Sequence, residues 1–170
     1  MDQAEIVIDT FEKVAARAGD PHDLIYARLF ERHPHFEDLF AMDTDGGIRA
    51  NMLTTSLNCL LGVAEGSETP RLELEAARLH HEGYGLGSGD IDEMFEIIRD
   101  VFRDVLADDW TPAAETSWSA VLDQISRIGR DLDSCPRPFL QMHRRFSRLT
   151  LLPGIGRTRV LNKVPAILHT

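Results

Sequence analysis

Hydrophobic residues recur along most of the chain at three- and four-residue spacing, the pattern of helices that each bury one face. Ile6, Phe11, Val14 and Ala18 share a face of a first helix, which Asp2 and Glu5 cap reciprocally and Gly19 ends. Asp20-Pro21 opens a second helix, with the proline at its first position, where a missing N–H costs nothing. Leu24, Ile25, Tyr26 and Leu29 are expected to turn inward there. His33-Pro34 breaks that helix, and a helical turn continues to Phe40. A loop over 41–47 leads into a long helix from about Ile48 to Glu65, carrying Leu53, Leu57, Leu60 and Leu61 and stopped by Gly66-Ser67. Thr69-Pro70 starts the next helix, which ends at Glu82-Gly83. Asp90 and Glu93 read as a capping box ahead of Met94, Phe95, Ile98, Phe102 and Val105. Thr111-Pro112 opens the last clear helix, with Trp118, Val121, Leu122, Ile125 and Ile128 on one face. Sustained strand-type alternation is absent before residue 149. Six or seven helices of unequal length predict an irregular all-α fold. Steep crossings in such a fold leave a pocket, unlike a simple four-helix bundle.

With 170 residues and 43% hydrophobic content, the chain is sized for one globular domain with a sizeable core. No apolar run approaches the roughly 18 residues of a membrane helix, and no basic-then-apolar leader opens the sequence. These features predict a cytoplasmic protein without membrane contact. Cys59 and Cys135 are the two cysteines, and reduced thiols are expected of them. Charge divides the chain sharply. Residues 1–133 carry 11 Lys and Arg against all 28 Asp and Glu, a net −17; residues 134–170 carry seven basic residues and no acid. The acidic body repels nucleic acid. The basic segment can fold back on that body, bind an acidic partner, or extend into solvent. Cys135-Pro136-Arg137-Pro138 marks the boundary between a helical domain over 1–133 and a basic, partly irregular extension over 134–170.

Candidate chemistry centres on Leu79-His80-His81-Glu82-Gly83-Tyr84-Gly85-Leu86. A helix that stops just past an imidazole presents a ring nitrogen at the edge of a pocket, and neutral imidazole is the commonest protein ligand for a metal, haem iron included. A histidine at a helix end also serves as a simple C-terminal cap. Other signals fail on spacing. Asp43-Thr44-Asp45-Gly46 opens like a calcium loop, but Ile48 stands where glycine is needed and Thr54 where glutamate is needed. His33 and His35 have no second ligand pair near them, and no Gly-rich phosphate loop or nucleophile elbow occurs.

Tyr26-Ala27-Arg28-Leu29-Phe30-Glu31-Arg32-His33-Pro34, ending in Leu39-Phe40, resembles the second and third helices of a bacterial globin. His81-Glu82-Gly83-Tyr84-Gly85-Leu86 is similar to that family's proximal-histidine motif, and Trp118 to the tryptophan of its last helix. The steps of 14 residues from Tyr26 to Phe40 and 32 from Arg49 to His81 match single-domain globins and the haem domains of flavohaemoglobins, over roughly residues 3–131. The resemblance implies a globin-like fold holding haem b, with His81 as axial ligand. Its Nδ1–H is expected to donate to a carbonyl one turn earlier, near Ala77. Phe40 would pack on the porphyrin, Leu53 would line the distal wall and Tyr84 would border the cofactor. Tyr26 would donate to the bound diatomic ligand, a bond of about 1–3 kcal/mol.

The sequence departs from this family at two places. Arg49 stands where glutamine or histidine is usual, although a one-residue slip puts Ile48 there. Arg49 is expected to swing to solvent, pair with a propionate, or hold an anionic ligand. Ile91 replaces a tyrosine of the proximal network, which removes the basis for strong peroxidase-like chemistry. The implied function is binding of dioxygen and nitric oxide, for oxygen transport or for nitric oxide oxidation with an external reductase. The alternatives are a haem-based sensor signalling through the basic extension and a haem-free interaction module of the same fold. The oligomeric state is left open by the sequence.

Overall fold

The computed structural model describes residues 2–134, which are all-helical without a strand. The expected basic extension beyond Ser134, with Cys135, lies outside the described residues. Six α-helices follow in order: α1 Gln3–Ala18, α2 His22–Arg32, α3 Gly47–Ala64, α4 Thr69–Glu82, α5 Ser88–Leu106 and α6 Pro112–Ser134. Two 3-10 turns, Pro34–Phe40 and Ala107–Asp109, follow α2 and α5. None of the described helices is long and apolar enough to cross a membrane.

Local chemistry sets most boundaries. Asp2 and Glu5 exchange side-chain-to-backbone bonds of 2.9 and 2.8 Å, the expected reciprocal cap of α1. Gly19 ends α1 at φ 66, a conformation that glycine adopts without strain. The second helix begins one residue later than expected. Pro21 precedes it, and Asp20 accepts from the His22 N–H at 2.9 Å. Thr111 Oγ1 caps α6 through the Ala114 N–H at 3.1 Å.

The start of α5 also differs from expectation. Ser88 is its first residue, and Asp90 reaches back to the Gly87 N–H at 2.8 Å, so Asp90 is the returning half of the cap. Glu93 takes no part in it and pairs across to Arg32 and His33. Two inward faces differ as well. Val7 and Thr10 are buried on α1 rather than Ile6, and Leu24 on α2 is 48% exposed.

Helices α5 and α6 pack on each other and on α1; α2 lies on α5; α3 contacts α1, α4 and α6; and α4 also rests on α6. Ile25, Leu60, Ile97, Ile98, Leu106, Trp118 and Ile125 form the innermost layer. The α3–α4 contact is close at one point. A Cβ added to Gly62 would meet the Pro70 ring at 2.8 Å. Alanine at position 62 gains at most about 1 kcal/mol of helix propensity, whereas overpacking costs about 1–3 kcal/mol. Gly62→Ala is therefore expected to lower the urea midpoint, and a raised midpoint would show that the α3–α4 joint yields freely.

Candidate functional site

The imidazole of His81 sits in the last turn of α4, half-buried. Its Nδ1 lies 2.7 Å from the Ala77 carbonyl oxygen, four residues earlier. A carbonyl only accepts, so Nδ1 carries a proton, and in the neutral imidazole Nε2 is the nitrogen with the free lone pair. This bond fixes the tautomer and the ring plane, as the sequence predicts. His80 is exposed and turns toward Tyr84, with ring centroids 5.4 Å apart. Tyr84 itself is 61% exposed and lies on the surface beside His80. Leu86, whose N–H bonds to the His81 carbonyl, is half-buried instead.

Tyr26, Phe40 and Arg49 come together on the opposite elements. The Tyr26 ring is buried on α2, edge-on to Phe40 at 5.7 Å and tilted against Phe30 at 5.8 Å. Its hydroxyl donates to the Arg49 carbonyl at 2.8 Å and so ties α2 to the start of α3. Burial raises its pKa far above the usual phenol value, with Arg49 pulling down and Asp43 adding to the rise. The phenol therefore stays a proton donor, but its proton is engaged by a backbone carbonyl. Leu53, one turn further along α3, is buried in the core.

Arg49 is occupied too. Its Nε donates to Asp43 Oδ2 at 2.9 Å. The Asp43 carboxylate also accepts from the Ile48 and Arg49 backbone N–H groups at 2.8 and 3.1 Å. Asp43 thus caps α3 from the preceding loop and orients Arg49 at once. This role leaves no mark in the sequence beyond an acid upstream of a helix start, because the cap acts across five and six residues. Ile48 is 52% exposed. Cys59 is buried on α3, and desolvation pushes its thiol up to about 12, with Glu73 adding, so it stays protonated.

No hydrogen bond, ion pair or ring contact among the described residues joins His81 or Tyr84 to the Tyr26–Phe40–Arg49 group. Two clefts among those residues, holding about 240 and 160 Å³ with part of that open to solvent, are not lined by His81, Tyr26 or Phe40. Among the described residues no three His, Cys, Asp or Glu side chains converge into a metal-holding group. A haem iron asks only one axial nitrogen of the proximal side, and His81 has the chemistry for it.

A second charged centre joins α2 to α5. Asp100 is 5% exposed and takes Arg32, Arg99 and Arg103, with Arg99 Nη2 at 2.9 Å. Burial raises the Asp100 pKa, but Arg32, Arg99 and Arg103 outweigh it and hold the carboxyl below its ordinary value. Asp43 behaves the same way: desolvation is outweighed by its two backbone donors and Arg49. Folded pKa values below the unfolded one mean that both acids stabilise the fold above the ordinary aspartate range. That contribution is lost as pH falls through the folded values. Unfolding midpoints are thus expected to drop below about pH 4, less steeply in Asp100→Asn. An unchanged profile in that variant would remove Asp100 from the acid response.

Compared with known proteins, the chain matches no protein-family model, no curated sequence and no solved structure.

Proposed function

We propose that the chain is a haem protein with a globin-like helical fold, binding dioxygen and other diatomic ligands opposite His81. The observation that carries this reading is the Nδ1–H bond from His81 to Ala77, which orients the ring and makes Nε2 the coordinating nitrogen of the neutral imidazole at the end of α4. Haem b would supply the iron at which such ligands bind. His81 would hold it, Phe40 and Leu53 would contribute apolar contact from the other side, and nitric oxide oxidation would draw electrons from an external reductase. The test is stoichiometric haem uptake by the purified protein, followed by visible spectra of the ferric, ferrous and oxygen-exposed forms.

Tyr26 has two competing acceptors in this scheme. Donation to a ligand requires release of the Arg49 carbonyl, a neutral bond worth about 1 kcal/mol. Donation to a partly charged ligand is worth more, so the exchange is favourable. Tyr26→Phe is expected to speed oxygen release at least several-fold by stopped-flow. An unchanged rate would leave the hydroxyl on Arg49 as a structural bond only.

A haem-free interaction module is the second reading. It is favoured by the engaged Tyr26 proton and the Arg49–Asp43 pair. Absence of haem uptake by wild-type protein selects it.

A further inference from the structure

Arg78 lies on the face of α4 that rests on α6, and it is 8% exposed. Its Nη1 donates to the Leu132 carbonyl at 2.7 Å, near the C-terminal end of α6, where a cation is favourable. A longer contact of 3.4 Å reaches Asp133 Oδ1. Its Nε–H is different: it is buried and has no hydrogen-bond partner among the described residues. A buried donor left unsatisfied costs about 1–3 kcal/mol, more when charged, so the group calls for an acceptor.

Arg78 lines a cleft between α4, α5 and α6, together with Leu74, Ser88, Ile91, Asp92 and Gly129. The cleft holds about 240 Å³ of space, part of it open to solvent, and its interior admits a single water-sized molecule. Two polar residues complete the lining. Ser88 Oγ gives its proton to Asp133 Oδ2 at 2.6 Å and keeps lone pairs. Asp92 Oδ2 accepts from Ser126 at 2.7 Å, while Oδ1 lies on the Gly129 side, 3.9 Å from where a Cβ at position 129 would stand. A buried water typically makes about three hydrogen bonds. An anion would be drawn by Arg78 but repelled by Asp92 and Asp133, and a cation drawn by those carboxylates but repelled by the buried Arg78 guanidinium. The cleft therefore suits a small neutral molecule that both donates and accepts.

We propose that this cleft is a binding site for one neutral hydrogen-bonding molecule, water itself, which accepts from Arg78 Nε and bridges to Asp92 or Ser88. Such a bridge joins the helix that bears His81 to α5, three residues before the histidine, beside the direct Arg78 bond to Leu132 of α6. It does not depend on haem.

The test is a crystal structure of the full chain at a resolution that orders solvent. One well-ordered water within hydrogen-bond distance of Arg78 Nε and of Asp92 or Ser88 is expected. Gly129→Ala puts a methyl group into the cleft, 3.8 Å from Ser88 Cβ, without a steric clash. It is expected to remove that water while the fold is kept. In solution, water-to-protein Overhauser effects at the Gly129 α-protons should report a long-lived water in the wild type. An empty cleft, an Arg78 Nε bonded directly to protein, or xenon occupying the space under pressure in preference to water would each overturn the proposal.

Discussion

Alanine in place of His81 is expected, under the haem-binding proposal, to abolish stoichiometric haem retention while leaving the helical content unchanged. The imidazole is half-buried at the end of α4, and its one hydrogen bond among the described residues goes to a carbonyl of its own helix. Alanine is the best helix former, so α4 loses little by the exchange. The proposed haem site would lose the imidazole nitrogen that the bond to Ala77 orients. Removing even an outer-shell partner of a metal-bound histidine typically costs about 10–100-fold in affinity, and removing the ligand itself costs more. His80 is not a substitute. Adjacent helix positions diverge by about 100°, and the His80 ring lies against Tyr84 on the surface. His80→Ala is therefore the control, with an unaltered Soret band and unaltered affinity. Haem titration followed by absorbance, with circular dichroism on the same samples, reads both outcomes. Full haem uptake with wild-type spectra in His81→Ala would remove His81 as the ligand.

The parts of this fold that were legible in the sequence are those whose signals are local. Asp2 with Glu5, Gly19, His33-Pro34, Gly66-Ser67 and Thr111 each act on backbone within a few residues, and each ends or starts a helix near where its chemistry says it should. The errors have the opposite character. Leu24 looks like a core residue by type, but on its side of α2 it is left 48% exposed. Thr10 is buried because its hydroxyl is satisfied twice, by the Val7 carbonyl and the Trp118 indole, the second 108 residues away. Asp90 and Glu93 have capping-box spacing, yet Glu93 is drawn to Arg32 and His33 across the structure. The candidate site follows the same rule. The His81–Ala77 bond spans one helical turn and could be foreseen. The acceptor of Tyr26 is a backbone carbonyl on another helix, which no side-chain type announces. Asp43, Asp100 and Arg78 are charged residues buried by pairing, and pairing across elements leaves no trace in the periodicity of any one helix.

Removing the Trp118 side chain is expected to destabilise the protein by about 3–5 kcal/mol, the range for deleting a buried aromatic group. The indole is 0% exposed and stands where α1, α5 and α6 meet. Phe11 stacks on it at 5.8 Å, Phe102 meets it edge-on at 5.4 Å, and Trp110 lies tilted at 5.9 Å. Its Nε1 donates to Thr10 Oγ1 at 2.9 Å. Truncation to alanine opens a cavity and ends all three ring contacts, each worth about 0.5–1.5 kcal/mol beyond its area. Thr10 keeps its own donation to Val7 at 2.6 Å, so no buried donor is stranded on α1. Phenylalanine at 118 separates the two contributions. It retains an aromatic ring for Phe11 and Phe102 and loses the indole N–H, so a cost nearer 1–2 kcal/mol is expected, mostly the hydrogen bond and the smaller ring. Domains of this kind are usually stable by only about 5–15 kcal/mol, so the alanine variant forfeits a large share of the total. Urea unfolding followed by circular dichroism measures both variants. Equal midpoints for alanine and phenylalanine would mean that packing around the ring contributes little and that the link to Thr10 alone holds α6 on α1.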